Sequence, residues 1–187
     1  MIKLLGISGS LRRGSYNAML LRAATQLMPP ESTLEVASIR GIPLYDGDVE
    51  AQGLPATVVQ LKEAVVAADG VLLVTPEYNN SIPGVFKNAI DWLSRPPADI
   101  KRVFGGRPFA LMGASPGYFG TLLSQTAWLQ VLRTLGTVPW FGARLTVSRA
   151  AGVFDESGAL KDAGVEDQLK KFLEGYVGFV DRLRLKG

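Results

Sequence analysis

Gly9-Ser10-Leu11-Arg12-Arg13-Gly14-Ser15-Tyr16-Asn17, preceded by Gly6-Ile7-Ser8, is the first stretch whose residue types could do chemistry. Small residues let backbone N–H groups approach a ligand. The hydroxyls of Ser8, Ser10 and Ser15 can donate to oxyanions, and the helical pattern that follows adds the partial positive charge of a helix N-terminus. Arg12 or Arg13 would add a charge-assisted hydrogen bond. The combination suits an anion, although the same residues could simply begin a helix, with Ser15 or Asn17 as cap and both arginines solvated. Two familiar phosphate loops are excluded. Gly9 to Ser15 has Walker spacing, but Gly14 is followed by Ser15 and not by lysine. No GxGxxG occurs, and the second apolar run ends at Ser38-Ile39-Arg40 without the acid that holds a dinucleotide ribose. A terminal phosphate fits the loop better than a pyrophosphate.

Thr75-Pro76-Glu77-Tyr78-Asn79-Asn80-Ser81-Ile82-Pro83-Gly84 is the second stretch. Pro76 and Pro83 stiffen it, and Tyr78 and Asn79 offer an aromatic surface and an amide on which a planar heterocycle could rest. Read structurally, it is equally a Pro-bounded turn with Ser81 as a helix cap. The third, Gly113-Ala114-Ser115-Pro116-Gly117-Tyr118-Phe119-Gly120, spells the G-x-S-x-G of a serine nucleophile elbow. A hydrolase would need a base beside Ser115, and the chain has no histidine.

The chain also has no cysteine. Together these absences remove thiol nucleophiles, iron–sulfur clusters, thiolate zinc sites and most general-base arrangements. A bound cofactor is therefore expected to carry the chemistry, with no catalytic side chain and no metal site. Asp46 and Asp48 in a loop read as solvated, and Lys87 with Asp91 as an ordinary i,i+4 surface pair. Trp92, Trp128 and Trp140 read as core or interface.

Positioning these loops is the task of the elements between them. The chain has 187 residues, 47% apolar and 20% charged, enough for one sizeable core and too few for two full domains. Strands are expected at Lys3 to Ile7, Leu34 to Ser38, Val71 to Thr75, Phe109 to Ala114 and about Trp140 to Val147. Helices are expected at about Asn17 to Leu27, Ala56 to Ala68, Gly84 to Ser94, Leu122 to Leu135 and Val165 to Arg184, with Val85, Phe86, Ala89, Ile90 and Leu93 forming one apolar stripe. Pro29-Pro30, Arg95-Pro96-Pro97 and Gly105-Gly106-Arg107-Pro108 punctuate them. This alternation implies an α/β doubly wound parallel sheet, in which ligands sit beyond the carboxyl ends of the strands. Arg40 to Pro55 is too long for an ordinary connection and should pack over the site or serve an interface.

The net charge is +3, but the 20 Lys and Arg are scattered, so a solvated surface is expected and no nucleic-acid partner. No apolar run reaches the roughly 18 residues of a membrane span and no signal-peptide pattern opens the chain. The expectation is a cytoplasmic protein with no membrane partner.

GSLRRGSYN followed by TPEYNNSIPGVFKNAIDWLSR resembles the NADPH-dependent FMN reductase family, which includes chromate and quinone reductases and some azoreductases. The resemblance covers most of the chain, through Gly120. It implies a single flavodoxin-like domain over residues 1–187, with a five-stranded parallel sheet in the order 2-1-3-4-5. The FMN phosphate would be bound by Ser10, Leu11, Arg12, Ser15, Tyr16 and Asn17, and the ring would lie against Pro76, Glu77, Tyr78 and Asn79, with Ser115 contributing from the third loop. It further implies NAD(P)H as co-substrate and ping-pong hydride transfer through flavin N5 to quinones, flavins, azo compounds or chromate. A homodimer or homotetramer is implied, with Tyr78 near the subunit contact. Gly120-Thr121 stands where the family often has paired glycines, and Val138 to Ala143 lacks the usual Pro-rich pattern. A flavodoxin-type carrier passing single electrons to a protein partner is the alternative, but such carriers are commonly acidic and this chain is basic.

Overall fold

The computed structural model describes residues 1–185. Strands β1 (Ile2–Ser8), β2 (Ser32–Ala37), β3 (Gly70–Val74), β4 (Pro108–Ala114), β5 (Val138–Pro139) and β6 (Leu145–Val147) form one parallel sheet. The order is β2-β1-β3-β4-β5, with β6 also on β4. Helices α1 (Tyr16–Gln26), α2 (Gly47–Ala51), α3 (Ala56–Ala67), α4 (Gly84–Leu93), α5 (Ile100–Val103), α6 (Leu122–Thr134) and α7 (Ala163–Arg184) connect and cover it. This is the flavodoxin-like order 2-1-3-4-5, with helices on both faces.

Alternation along the strands divides the core. Leu4, Leu72 and Met112 point to one face and pack with Leu20 and Leu21 of α1 and Leu169, Phe172, Leu173 and Tyr176 of α7. Leu5, Ile7, Val71, Leu73 and Phe109 point to the other, against Leu61 and Val65 of α3, Phe86 and Ile90 of α4, and Trp128 and Leu132 of α6. Each such side chain contributes about 1.5–3 kcal/mol on full burial. The expected stripe on α4 is buried at Phe86, Ala89, Ile90 and Leu93, while Val85 stays exposed. Tyr176 is enclosed, and its hydroxyl meets the carbonyls of Val71 and Pro108 at 2.8 and 2.9 Å. Burial pushes its pKa well above the ordinary phenol value, so the hydroxyl stays a neutral donor. It comes this close because Gly70 has no Cβ, which would lie 2.8 Å from that oxygen.

The expected strand from Trp140 to Val147 is two short strands, β5 and β6, on successive stretches of β4. Trp140 turns inward onto Phe172 and Tyr176 at centroid distances of 5.0 and 5.6 Å. Gly142 and Gly175 make room for the indole, since a Cβ at either would lie 2.5 and 2.8 Å from it. Residues 141–144 then loop outward and leave Phe141 exposed.

The long segment from Arg40 to Pro55 contains α2, capped by Asp46, whose carboxylate accepts the Asp48 N–H at 2.9 Å. It is fastened to the end of α4. The carbonyl of Pro43 accepts from Asn88 and from the Trp92 indole at 2.8 and 2.9 Å. The Arg95 guanidinium donates to Tyr45 and Glu50. Lys87 and Asp91 pair at 2.7 Å on the surface of α4, and Trp92 and Trp128 are core residues.

Candidate functional site

The carboxyl ends of β1, β3 and β4 bring the three loops to one edge of the sheet. Ser15 is buried at 2% exposure, and its Oγ accepts the Ala18 N–H at 3.3 Å, which starts α1. The N–H groups of Tyr16 and Asn17, which a helix cannot satisfy internally, have no partner among the described residues. The Ser8 hydroxyl is also buried there without a partner. Ser10 accepts the Arg12 N–H at 3.3 Å, and the Leu11 carbonyl accepts from Arg40 at 2.7 Å, so the loop is held from within and from the 40–55 segment. Arg12 lies over the Tyr16 ring at 5.5 Å, and neither Arg12 nor Arg13 is ion-paired among the described residues. Free donors, a free guanidinium and a helix start converge on one spot.

Asn17 differs from the expectation of a simple phosphate ligand. Its side-chain amide donates to the Ala114 carbonyl at 2.8 Å and its carbonyl oxygen accepts the Ala114 N–H at 2.9 Å. This bridge spans 97 residues and locks the start of α1 to the end of β4. The backbone N–H of Asn17 remains for a ligand, while its side chain is engaged by Ala114. Gly9 likewise serves packing, because a Cβ there would meet the Phe86 ring at 2.0 Å.

The other two loops are tied to each other. The Thr75 hydroxyl donates to the Pro76 carbonyl at 2.8 Å and so accepts from Ser124 at 2.9 Å and from the Trp128 indole at 3.0 Å. One oxygen of the Glu77 carboxylate is engaged within the protein: Oε2 accepts the N–H groups of Leu123 and Ser124 at 2.8 and 3.0 Å, capping α6, whose own Thr121 makes no cap bond. Tyr78 and Ser81 exchange backbone bonds at 3.1 and 3.0 Å across Asn79 (φ 51) and Asn80 (φ 62). Two positive φ values make a tight primed turn, which asparagine tolerates better than other non-glycine residues. Ser115 donates to the Gly120 carbonyl and accepts the Gly117 N–H at 3.2 Å, a loop staple and not a nucleophile. Gly113 is needed here, since a Cβ would lie 2.2 Å from both Thr121 Oγ1 and the Thr75 carbonyl.

Between the loops lies a small cleft of about 80 Å³. Ser10, Arg12, Ser15, Tyr16 and Asn17 line one end, and Pro76, Glu77, Tyr78, Ala114, Ser115 and Pro116 the other. Leu11 and Asn79 lie outside its lining. A larger groove of about 360 Å³ between α4 and α6 is bordered by Lys87 and Asp91, already paired with each other. The smaller cleft is singled out by its unmatched donors, not by volume. Unmatched donors at one end and a stiff wall at the other suit the phosphate and ring of a phosphorylated flavin. Among the described residues no cluster of acids could hold a metal ion, and no helix is long and apolar enough to cross a membrane.

The family model described as NADPH-dependent FMN reductase matches residues 2–152. The chain belongs to that family. It is 46% identical over 183 residues to an NAD(P)H-dependent FMN reductase of Pseudomonas aeruginosa, covering 98% of this chain and 97% of the relative. It is 36% identical over 190 residues to a quinone reductase of Escherichia coli, covering 98% of each. Among solved structures it is similar to FerB, a flavoenzyme NAD(P)H:(acceptor) oxidoreductase from Paracoccus denitrificans, with a TM-score of 0.87, 31% identity and coverage of 97% of this chain and 98% of that one. The protein is a flavoenzyme of the NAD(P)H:acceptor oxidoreductase type, with FMN as cofactor and NAD(P)H as co-substrate.

In this FMN reductase family member, Ala114 and Pro116 line the cleft beside Ser115, and sequence reasoning missed Arg40 as the tether of the loop after β1 and the Thr75–Ser124–Trp128 network behind the cleft wall. Ser124 and Trp128 lie four apart on α6, a spacing that puts both on one helix face. Nothing local tied that face to Thr75.

Proposed function

We propose that this protein is a ping-pong reductase of small-molecule acceptors, with quinones, free flavins, azo compounds and chromate as the acceptor classes, built as one FMN-binding domain over residues 1–187. The observation that carries the reading is the cleft itself, where unmatched N–H groups and Arg12 face two loops whose polar side chains already hold one another. When bound, FMN supplies the redox chemistry, hydride being taken from the nicotinamide at N5 and electrons leaving to the acceptor in a second half-reaction.

The N–H groups of Tyr16 and Asn17, the Ser10 and Ser15 region and Arg12 hold the phosphate, and Leu11 shapes the rim. Pro76, Glu77, Tyr78 and Asn79 set the ring plane, chiefly through backbone, because Oε2 of the Glu77 carboxylate caps α6. Ser115 keeps the third loop folded against the ring edge. No side chain acts as acid or base. Orientation of two planar reactants in succession is the protein's contribution. The names of two relatives, the quinone reductase of Escherichia coli and a 2-hydroxy-1,4-benzoquinone reductase of a Burkholderia species at 35% identity, support quinones as one acceptor class. A homodimer or homotetramer would cover Tyr78, 48% exposed beside the cleft, and Phe141, 71% exposed on the insert between β5 and β6.

Stopped-flow mixing of the FMN-loaded protein with NADPH or NADH tests the reading. Bleaching of the flavin band within seconds, followed by reoxidation on adding a quinone, is expected. Failure to bind FMN, or a bound flavin that neither nucleotide bleaches, would overturn it. Light scattering on the eluting protein reads the assembly.

A further inference from the structure

One basic residue near the site is unaccounted for by the flavin. Strand β6 pairs with the end of β4, so Arg149 emerges at the same sheet edge as the loop after β4. The two segments run side by side: the Ser115 N–H donates to Val147, the Ala150 N–H to Ser115 and the Arg149 N–H to Gly117, at 2.9, 3.0 and 3.1 Å. Arg149 has φ 48 and ψ 41, a left-handed conformation that a non-glycine residue adopts only under compulsion. Its guanidinium lies over the Tyr118 ring at 4.5 Å, and that ring is 76% exposed at the tip of the loop. No ion pair among the described residues uses Arg149.

Ser115 and Pro116 of that loop line the flavin cleft, but Tyr118 and Arg149 do not. The pair stands beside the wall, joined to it through the backbone bonds of Ser115 and Gly117. An arginine flat on an aromatic ring keeps its in-plane N–H fork free for a phosphate, and the ring offers a surface to a purine. The nicotinamide co-substrate has both groups on its distal half, and only NADPH carries the terminal 2′-phosphate.

We propose that Arg149, stacked on Tyr118, binds the 2′-phosphate of NADPH and gives this reductase a preference for NADPH over NADH. The inference rests on the reductase reading and adds the source of co-substrate discrimination. Backbone strain separates this role from a structural one. Glycine adopts φ 48 without strain, so Arg149→Gly should leave the melting temperature unchanged or raise it while removing the site.

The test uses the FMN-loaded protein and flavin reduction by each nucleotide, together with calorimetric binding of adenosine 2′,5′-bisphosphate and of ADP. Wild-type protein should show a lower KM for NADPH than for NADH. In Arg149→Gly the KM for NADPH should rise tenfold or more with that for NADH within twofold. Binding of the 2′,5′-bisphosphate should weaken by the same factor while ADP is unaffected, and Arg149→Lys should recover part of the loss. An unchanged NADPH to NADH ratio, or an equal loss for both nucleotides, would overturn the proposal while leaving the reductase reading intact. If neither nucleotide reduces the wild-type flavin, the reductase reading falls and this inference with it.

Discussion

The loop after β1 and the loops after β3 and β4 meet at one cleft but are built on opposite plans. In the first, the Tyr16 and Asn17 N–H groups and the Arg12 guanidinium have no hydrogen-bond or ion-pair partner among the described residues. In the others, Thr75, Glu77, Ser115 and Ser124 bond one another or a neighbouring backbone. An anion is best gripped by donors that are otherwise unmet, and the proposed phosphate end leaves such donors free. A planar ring can be held by shape, and the proposed ring wall satisfies its own polar atoms and is stiff. Asn17 joins the two plans: its backbone belongs to the first and its side chain to the second.

Breaking that joint should have the largest effect. Asn17→Ala leaves both buried polar groups of Ala114 unpaired, and at about 1–3 kcal/mol each the expected loss is about 3 to 4 kcal/mol in denaturant unfolding. A loss under about 1 kcal/mol would mean the two loops are not mechanically joined. Removing the ligand comes next. FMN at a hundred times its Kd adds about 2.7 kcal/mol, so stripping it should lower the melting temperature by about 5–10 °C. Hydrogen exchange should speed up in residues 9–17, whose donors the ligand satisfies, and much less in 113–121. Equal deprotection of both regions would erase the distinction.

Arg12→Ala should weaken FMN binding by about 1.5 to 3 kcal/mol, read by fluorescence titration, with the stability of the FMN-free protein unchanged. Unaltered affinity would make the loop after β1 a plain helix start. Glu77→Gln should act in reverse, lowering stability by about 0.3–1 kcal/mol through the weakened α6 cap and leaving FMN affinity nearly unchanged. A loss of flavin affinity without loss of stability would show the carboxylate facing the ligand.

Much of this was legible before any coordinates. Leu4 to Ile7 and Val71 to Val74 announce buried parallel strands by continuous apolarity, and the stripe on α4 announces the face that meets the sheet. GSLRRGSYN states that an anion can bind at a helix start. The break at Trp140 was not legible, because the indole leaves the strand to meet Phe172 and Tyr176, residues with no local relation to it. The reading of Glu77 as a ring contact gave no hint of its carboxylate, whose partners Leu123 and Ser124 lie 46 and 47 residues away.

By itself, then, the sequence determined the alternation of strands and helices, the placing of small residues and prolines at strand ends, and the absence of any thiol or imidazole that could replace a cofactor. These are local properties of periodicity, backbone freedom and side-chain type. Which donors stay free for a ligand was decided only by the tertiary structure. A polar group is available only if nothing else reaches it, and the groups that reach Leu11, Asn17 and Glu77 arrive from 29, 97 and 46 residues away.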